Sequence, residues 1–280
     1  MWPFKPDLVK MERKRNVRGL VKLLDCDELL TREKRETRDK TCEALVRMGS
    51  SAVVHLCRAL GHPNRLARQG AAQVLGRIGN PSSIASLCAA LDDSDYFMRR
   101  EVVEAVGRLH QKAADDRCAA ALLKALGDDV GDVRREAVRA LKRSGHIPSH
   151  ESILALLRDS DSGKRRDAAE LLMTLGVPHD TAVEIDLMLA MGRWEAVTAF
   201  GDAAVERLCA VLQDEGNERW SDVRRGAATA LATMYRQGSL SPASQKMILG
   251  CADYVNHLHV DYSPPSDCHQ DAPAICLAVP

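Results

Sequence analysis

The chain has 280 residues, and Lys plus Arg balance Asp plus Glu at 39 each, so the formal net charge is zero. That balance lacks the overall basic excess of a nucleic-acid binder, although a local basic stripe stays open. Aromatics at 4% are too few for a β-sandwich, whereas abundant Ala and Leu suit closely packed helices.

The chain starts "MWPFKPDLVKMERKRNVRG", which lacks the apolar core of a signal peptide. Residues 1–16 read as a capping arm, with Trp2 and Phe4 between prolines covering the exposed face of a first repeat. No apolar run approaches the roughly 18–20 residues that span a bilayer. The nine cysteines form no CxxC pair and no framework spacing. These features predict a soluble, reduced, cytoplasmic protein with no membrane partner.

From Val17 to Gly238 the pattern is helix, short loop, helix, repeated. First helices are predicted at Val53–Leu60, Ile84–Leu91, Ala120–Leu126, Ser152–Leu157 and Val205–Leu212. Each is followed by a polar link such as "DDSD" (Asp92–Asp95) or "RDSD" (Arg158–Asp161), whose Asp and Ser suit the N-terminus of the next helix. The second helices align on an arginine: Arg38, Arg68, Arg99, Arg134, Arg165 and Arg224, at intervals of 30, 31, 35, 31 and 59. Three and four places later come small or β-branched residues, such as Ala71 and Ala72 or Val102 and Val103. Seven places later comes Leu45, Leu75, Val106, Leu141, Leu172 or Leu231. This i, i+3, i+4, i+7 spacing is one face of a helix. Gly49, Gly79, Gly145 and Gly176 are predicted to end four of these helices in the left-handed region. No segment alternates with a period of two.

The interval of 59 spans two units, so a degenerate repeat is expected near 177–201. There Ala190 is aligned with the missing Arg, and Trp194 brings bulk where other copies place small residues or charge. The stack is expected to break at this unit. A capping helix follows within 239–256, and 257–280 is an irregular tail rich in Pro, His and Asp.

The repeated Asp-x-Asp, Val-Arg-like pair, Ala-Ala, Ala-Leu and final Gly resembles the short HEAT-like repeats of the phycobilisome-lyase type, over 17–238. The resemblance implies an all-α fold, a right-handed α-α superhelix of about seven helical-hairpin repeats. It also implies that second helices line the concave side. Non-enzymatic binding of another protein by that face is the expected function. Bilin-lyase-type activity is the alternative, and nucleic-acid binding is a second alternative that the charge balance disfavours.

The column arginines (Arg68, Arg99, Arg134, Arg165, Arg224), all but Arg68 followed by a second Arg, are expected to form a structural ladder with loop acids. Asp93, Asp128 and Asp159 stand six places before Arg99, Arg134 and Arg165. The second Arg (Arg100, Arg135, Arg166, Arg225) is freer and is the ligand candidate. Cys57, Cys88 and Cys209 share one repeat position with Leu123 and Leu154, so they read as core. His110, His146 and His179 are placed just past three second helices. No catalytic set and no cofactor are expected. The exception is the tail, where His257, His259, Asp261, His269 and Asp271 carry an H-x-D unit twice, a pattern that suits zinc or a similar transition metal.

Overall fold

The computed structural model describes residues 6–25, 31–147, 149–159, 161–213 and 221–251. The described residues form helices and no strands. The chain divides into two compact units, residues 1–150 and 151–280.

The first unit opens with α1 (Leu8–Arg13), and helical pairs follow: α2 (Val17–Lys22) with α3 (Arg32–Met48), and α4 (Ser50–Ala59) with α5 (Arg65–Ile78). Next come α6 (Ile84–Ala89) with α7 (Tyr96–Ala113), and α8 (Asp116–Leu126) with α9 (Gly131–Ser144). Helix α6 is short because single 3-10 turns, Pro81–Ser83 and Ala90–Asp92, flank it. The second unit holds α10 (Glu151–Leu156) with α11 (Ser162–Leu175), and α12 (Thr181–Ala190) with α13 (Trp194–Thr198). It ends with α14 (Asp202–Gln213), α15 (Ser221–Gln237) and α16 (Pro242–Gly250).

The small residues of the repeat explain how the second helices stack. Ala71, Ala72, Val102, Val103, Ala137 and Val138 are buried, as are Leu75, Val106 and Leu141 four residues or so further on. Helix α7 packs most extensively against α5 and α9. Gly76 of α5 lies so close to α7 that a Cβ there would sit 2.6 Å from Ala105 Cα. Gly107 of α7 meets Ala140 of α9 in the same way, at 2.6 Å from its Cβ. A larger side chain at either glycine forces the two helices apart.

The caps follow the local chemistry. Asn64, Asp95 and Asp161 each accept a backbone N–H bond at the start of α5, α7 and α11. Helix α9 has no side-chain cap, and Asp128 Oδ1 instead accepts from Val130 N just before it. Gly79, Gly145 and Gly176 end α5, α9 and α11 in the left-handed region as expected. Gly49 differs: at φ 59° and ψ −135° it joins α3 directly to α4, a conformation with no room for a loop.

In the second unit the degenerate repeat is a shortened hairpin. Ala190, aligned by sequence with the missing Arg, is the last residue of the first helix, α12. The second helix is α13, only five residues long, and it begins at Trp194. Gly226 of α15 receives the indole: a Cβ there would lie 2.0 Å from Trp194 Cε2. Trp194 thereby packs against a core of Ile185, Val197, Leu208, Leu231 and Ile248.

Candidate functional site

The loop between first and second helix positions the arginine column. Asp93 Oδ1 accepts from Asp95 N, Asp128 Oδ1 from Val130 N, and Asp159 Oδ1 from Asp161 N. Each turn aims carbonyl oxygens at the arginine that follows. Arg99 Nη1 donates to Asp93 O at 2.9 Å, Arg134 Nη1 to Asp128 O at 2.8 Å, and Arg165 Nη1 to Asp159 O at 2.8 Å. Arg68 Nη1 does the same to His62 O at 3.0 Å.

So the Asp six places before Arg99, Arg134 and Arg165 offers its backbone carbonyl to that Arg. For Arg68 and Arg99 the carboxylate partner comes from the following repeat. Arg68 grips Asp93 through Nε and Nη2 at 2.7 and 3.1 Å, and Arg99 grips Asp128 likewise at 2.7 and 2.9 Å. The reason is geometric: the loop's own carboxylate is occupied by its turn, and its outer oxygen faces the preceding helix. Burial alone would push the Asp128 carboxyl up, but the Arg99 bonds and the Val130 N–H outweigh it and hold it low. The Arg99 guanidinium is raised in turn, chiefly by its bond to Asp128. A cavity of about 480 Å³ opens beside this pair, lined by Asp92, Asp93, Lys124 and Asp129 among others. Lys124 Nζ bonds Asp92 there at 2.5 Å, and the lining carries four acids against the two cations Arg99 and Lys124.

In the second unit, Arg165 is buried and Arg224 half-buried at the start of α11 and α15. That unit also carries a pair of bonds that sequence reasoning missed. Asp186, buried within α12, accepts from Arg158 Nε at 2.8 Å and from Arg207 Nε of α14 at 2.5 Å. A lone Asp on an apolar helix, "AVEIDLMLA", was the available signal.

The second arginines are more exposed. Arg100 and Arg135 keep 42% and 57% of their side chains exposed, against 17% for Arg99. Arg100 meets Glu101 at 3.4 Å, and Arg135 pairs with Asp132 one turn away. Arg166 and Arg225 are exposed on α11 and α15, and no side-chain bond ties them to another described residue.

The cysteine position is half-buried rather than core: Cys57 and Cys88 are partly exposed, as are Leu123 and Leu154, while Cys209 is buried. Burial pushes the Cys118 and Cys209 thiols up to about 12. His110 lies inside α7, fully buried, and its Nε2 donates to His146 O at 2.9 Å. It was expected past the helix, but α7 runs on to Ala113. His179 bonds Glu184, which raises its pKa. The tail residues His257, His259, Asp261, His269 and Asp271, together with Trp2 and Phe4, lie outside the described residues. Among the described residues no three His, Cys, Asp or Glu side chains group as a metal site, and no helix is long and apolar enough to cross a membrane.

Paired antiparallel helices, joined by a loop that the following arginine reads, define an α-helical repeat protein of armadillo-like type. The HEAT repeat model matches residues 26–107 and 98–174, more than half of the chain, and the chain belongs to the HEAT repeat family. No curated protein sequence is a significant match. Among solved structures, the chain is similar to the complex of CpcE and CpcF of phycocyanin lyase from Nostoc sp. PCC7120, at 20% identity over 64% of this chain and 99% of that one, with a TM-score of 0.43. It is similar to human deoxyhypusine hydroxylase at 18% identity, over 90% of this chain and 100% of that one, with a TM-score of 0.37. It is also similar to a designed armadillo repeat protein in complex with peptide (KR)4, at 18% identity over 82% and 100%, with a TM-score of 0.34. Likeness at this level concerns fold and says nothing of what this chain binds.

Proposed function

We propose that this chain is a non-enzymatic protein-binding scaffold that presents its second-helix face to a partner. One observation carries the reading: neighbouring arginines on one helix have different surroundings. Arg99 is held between repeats by Asp93 O and Asp128, whereas Arg100 beside it stays 42% exposed with one weak partner. Arg135, Arg166 and Arg225 hold the equivalent exposed position. Arginine is a frequent anchor in protein interfaces, because its planar fork bonds two acceptors and is weakly hydrated. Buried free thiols at Cys42, Cys118 and Cys209 suit a reducing compartment such as the cytoplasm.

The test is affinity capture from the source lysate with three forms of the full chain. These are wild type, Arg100→Glu/Arg135→Glu, and Arg58→Glu on the exposed side of α4. The scaffold reading expects a protein held by wild type and by Arg58→Glu and lost from the double variant. A set of captured proteins identical for all three forms would count against it.

A further inference from the structure

A second arginine column runs through the first unit. Nine places after Arg38, Arg68, Arg99 and Arg134 stand Arg47, Arg77, Arg108 and Arg143. Each lies in the last two turns of its second helix, α3, α5, α7 or α9. In the second unit the same position holds Thr174 and Thr233, so the column belongs to four consecutive repeats only.

These arginines are available. Arg47, Arg108 and Arg143 are 57%, 36% and 47% exposed, paired with Glu12, Glu104 and Glu136 respectively. The exposed Arg108 and Arg143 pairs contribute little, whereas Glu12 holds Arg47 at two points, 2.7 and 2.8 Å, and a ligand carboxylate has to displace it there. Arg77 is exposed and bonds no described side chain. Between the ends of α3, α5 and α7 lies a cavity of about 390 Å³, lined by Val46, Gly76, Arg77, Arg108, Gln111 and Lys112. Its lining carries three cations and no acid. Lys112 reaches across the end of α5, where its Nζ would meet a Cβ on Gly79 at 2.2 Å. The helix C-termini offset part of this positive charge but leave it facing solvent.

The spacing selects the ligand. Packed helices stand about 8–10 Å apart, and the glycine contacts Gly76–Ala105 and Gly107–Ala140 hold these at the close end. An extended polyproline-type chain advances about 9 Å every three residues and returns to the same side. A chain laid across the helices therefore meets one arginine per turn. A nucleic-acid backbone fits less well, because its charges recur about every 3.4 Å along each strand and fall out of step with helices about 8–10 Å apart.

We infer that Arg47, Arg77, Arg108 and Arg143 form a docking row for an extended acidic protein segment with a carboxylate at every third residue. This rests on the scaffold reading, since Arg100 and Arg108, like Arg135 and Arg143, share one second helix, α7 or α9. The test is fluorescence anisotropy with the full chain and two labelled peptides of equal composition. One is Glu-Pro-Pro repeated four times; the other is four Glu followed by eight Pro. The spaced peptide should bind at least about fivefold more tightly, and Arg77→Glu/Arg108→Glu should weaken it about tenfold or more. Arg77→Gln breaks no bond in the fold and should weaken it about two- to fivefold, which keeps the test valid if the double variant melts early. Equal affinity for both peptides, or affinity unmoved by Arg77→Gln, would overturn the row. Tighter binding of an oligothymidine of matched charge would overturn the choice of a protein ligand. If the peptides fail while Arg100→Glu/Arg135→Glu still loses its captured protein, only this inference falls; if that protein is retained, the scaffold reading falls too.

Discussion

Arg99 and Asp128 form a two-point contact, 2.7 and 2.9 Å, across 29 residues of chain. The same guanidinium bonds the carbonyl of Asp93, whose carboxylate is gripped by Arg68. Asp128 in turn gives its carbonyl to Arg134. Asp93 and Asp128 thus each serve two arginines with two different groups, and the bonds run unbroken from Arg68 to Arg134. In a repeat protein, where units touch only their neighbours, such bonds fix the register of one unit on the next.

A double-mutant cycle on this pair should therefore show strong coupling. Arg99→Gln and Asp128→Asn each remove one side of a charge-assisted fork that is less than a fifth exposed. The coupling measured by chemical denaturation is expected at about 1–3 kcal/mol. Additive losses would mean that the two side chains act independently.

Trp194 and Gly226 are matched in shape. Gly226→Ala places a methyl group inside the indole ring's space and should cost about 1–3 kcal/mol by overpacking. Combining it with Trp194→Leu should cost less than the two single losses added. Melting temperatures of the three variants check this, and an unchanged Gly226→Ala would refute the contact.

Two groups should shape the pH dependence in opposite directions. The Arg117 side chain holds the Asp115 carboxyl at about 2, below its unfolded value. Its stabilising share is present above about pH 4 and is lost as pH falls toward 2. Glu184 raises His179 above its unfolded value, so that share is present below about pH 6.5 and is lost as pH rises through the folded pKa. Melting curves of Asp115→Asn should converge on wild type at acid pH, and those of His179→Gln at alkaline pH. The reverse trends would contradict both assignments.

Thiol reactivity should follow burial. With Cys118 and Cys209 pushed up to about 12, neither carries appreciable thiolate at neutral pH. Iodoacetamide on the folded chain should alkylate Cys57 and leave these two intact until denaturant is added, as read by peptide mass mapping. Early labelling of Cys118 would show that α8 opens readily.

Much of this molecule is readable in the sequence because a stacked repeat must restate its contacts in every copy. Ala71–Ala72, Val102–Val103 and Leu141 advertise the packing face, and that face is where the helices meet. The direction of the Arg–Asp bonds was not readable. Linear spacing favoured Asp93 for Arg99, but the chain folds back so that the next loop lies nearer the guanidinium's fork. Trp194 was visible as excess bulk, yet its receptor Gly226 lies 32 residues on and has no local mark. Asp186 was hidden for the same reason, since Arg158 and Arg207 flank it only in space.

Adjacent arginines divide the work, one held by the loop and one exposed. Arg134 is 7% exposed and donates to Asp128 O and Asp129 O, whereas Arg135 is 57% exposed and pairs only along its own helix with Asp132. The direct measurement is the unfolding free energy of Arg134→Ala beside that of Arg135→Ala. A loss of about 1–3 kcal/mol for Arg134→Ala, with Arg135→Ala within about 0.5 kcal/mol of wild type, is the predicted result. Equal losses for the two variants would contradict it.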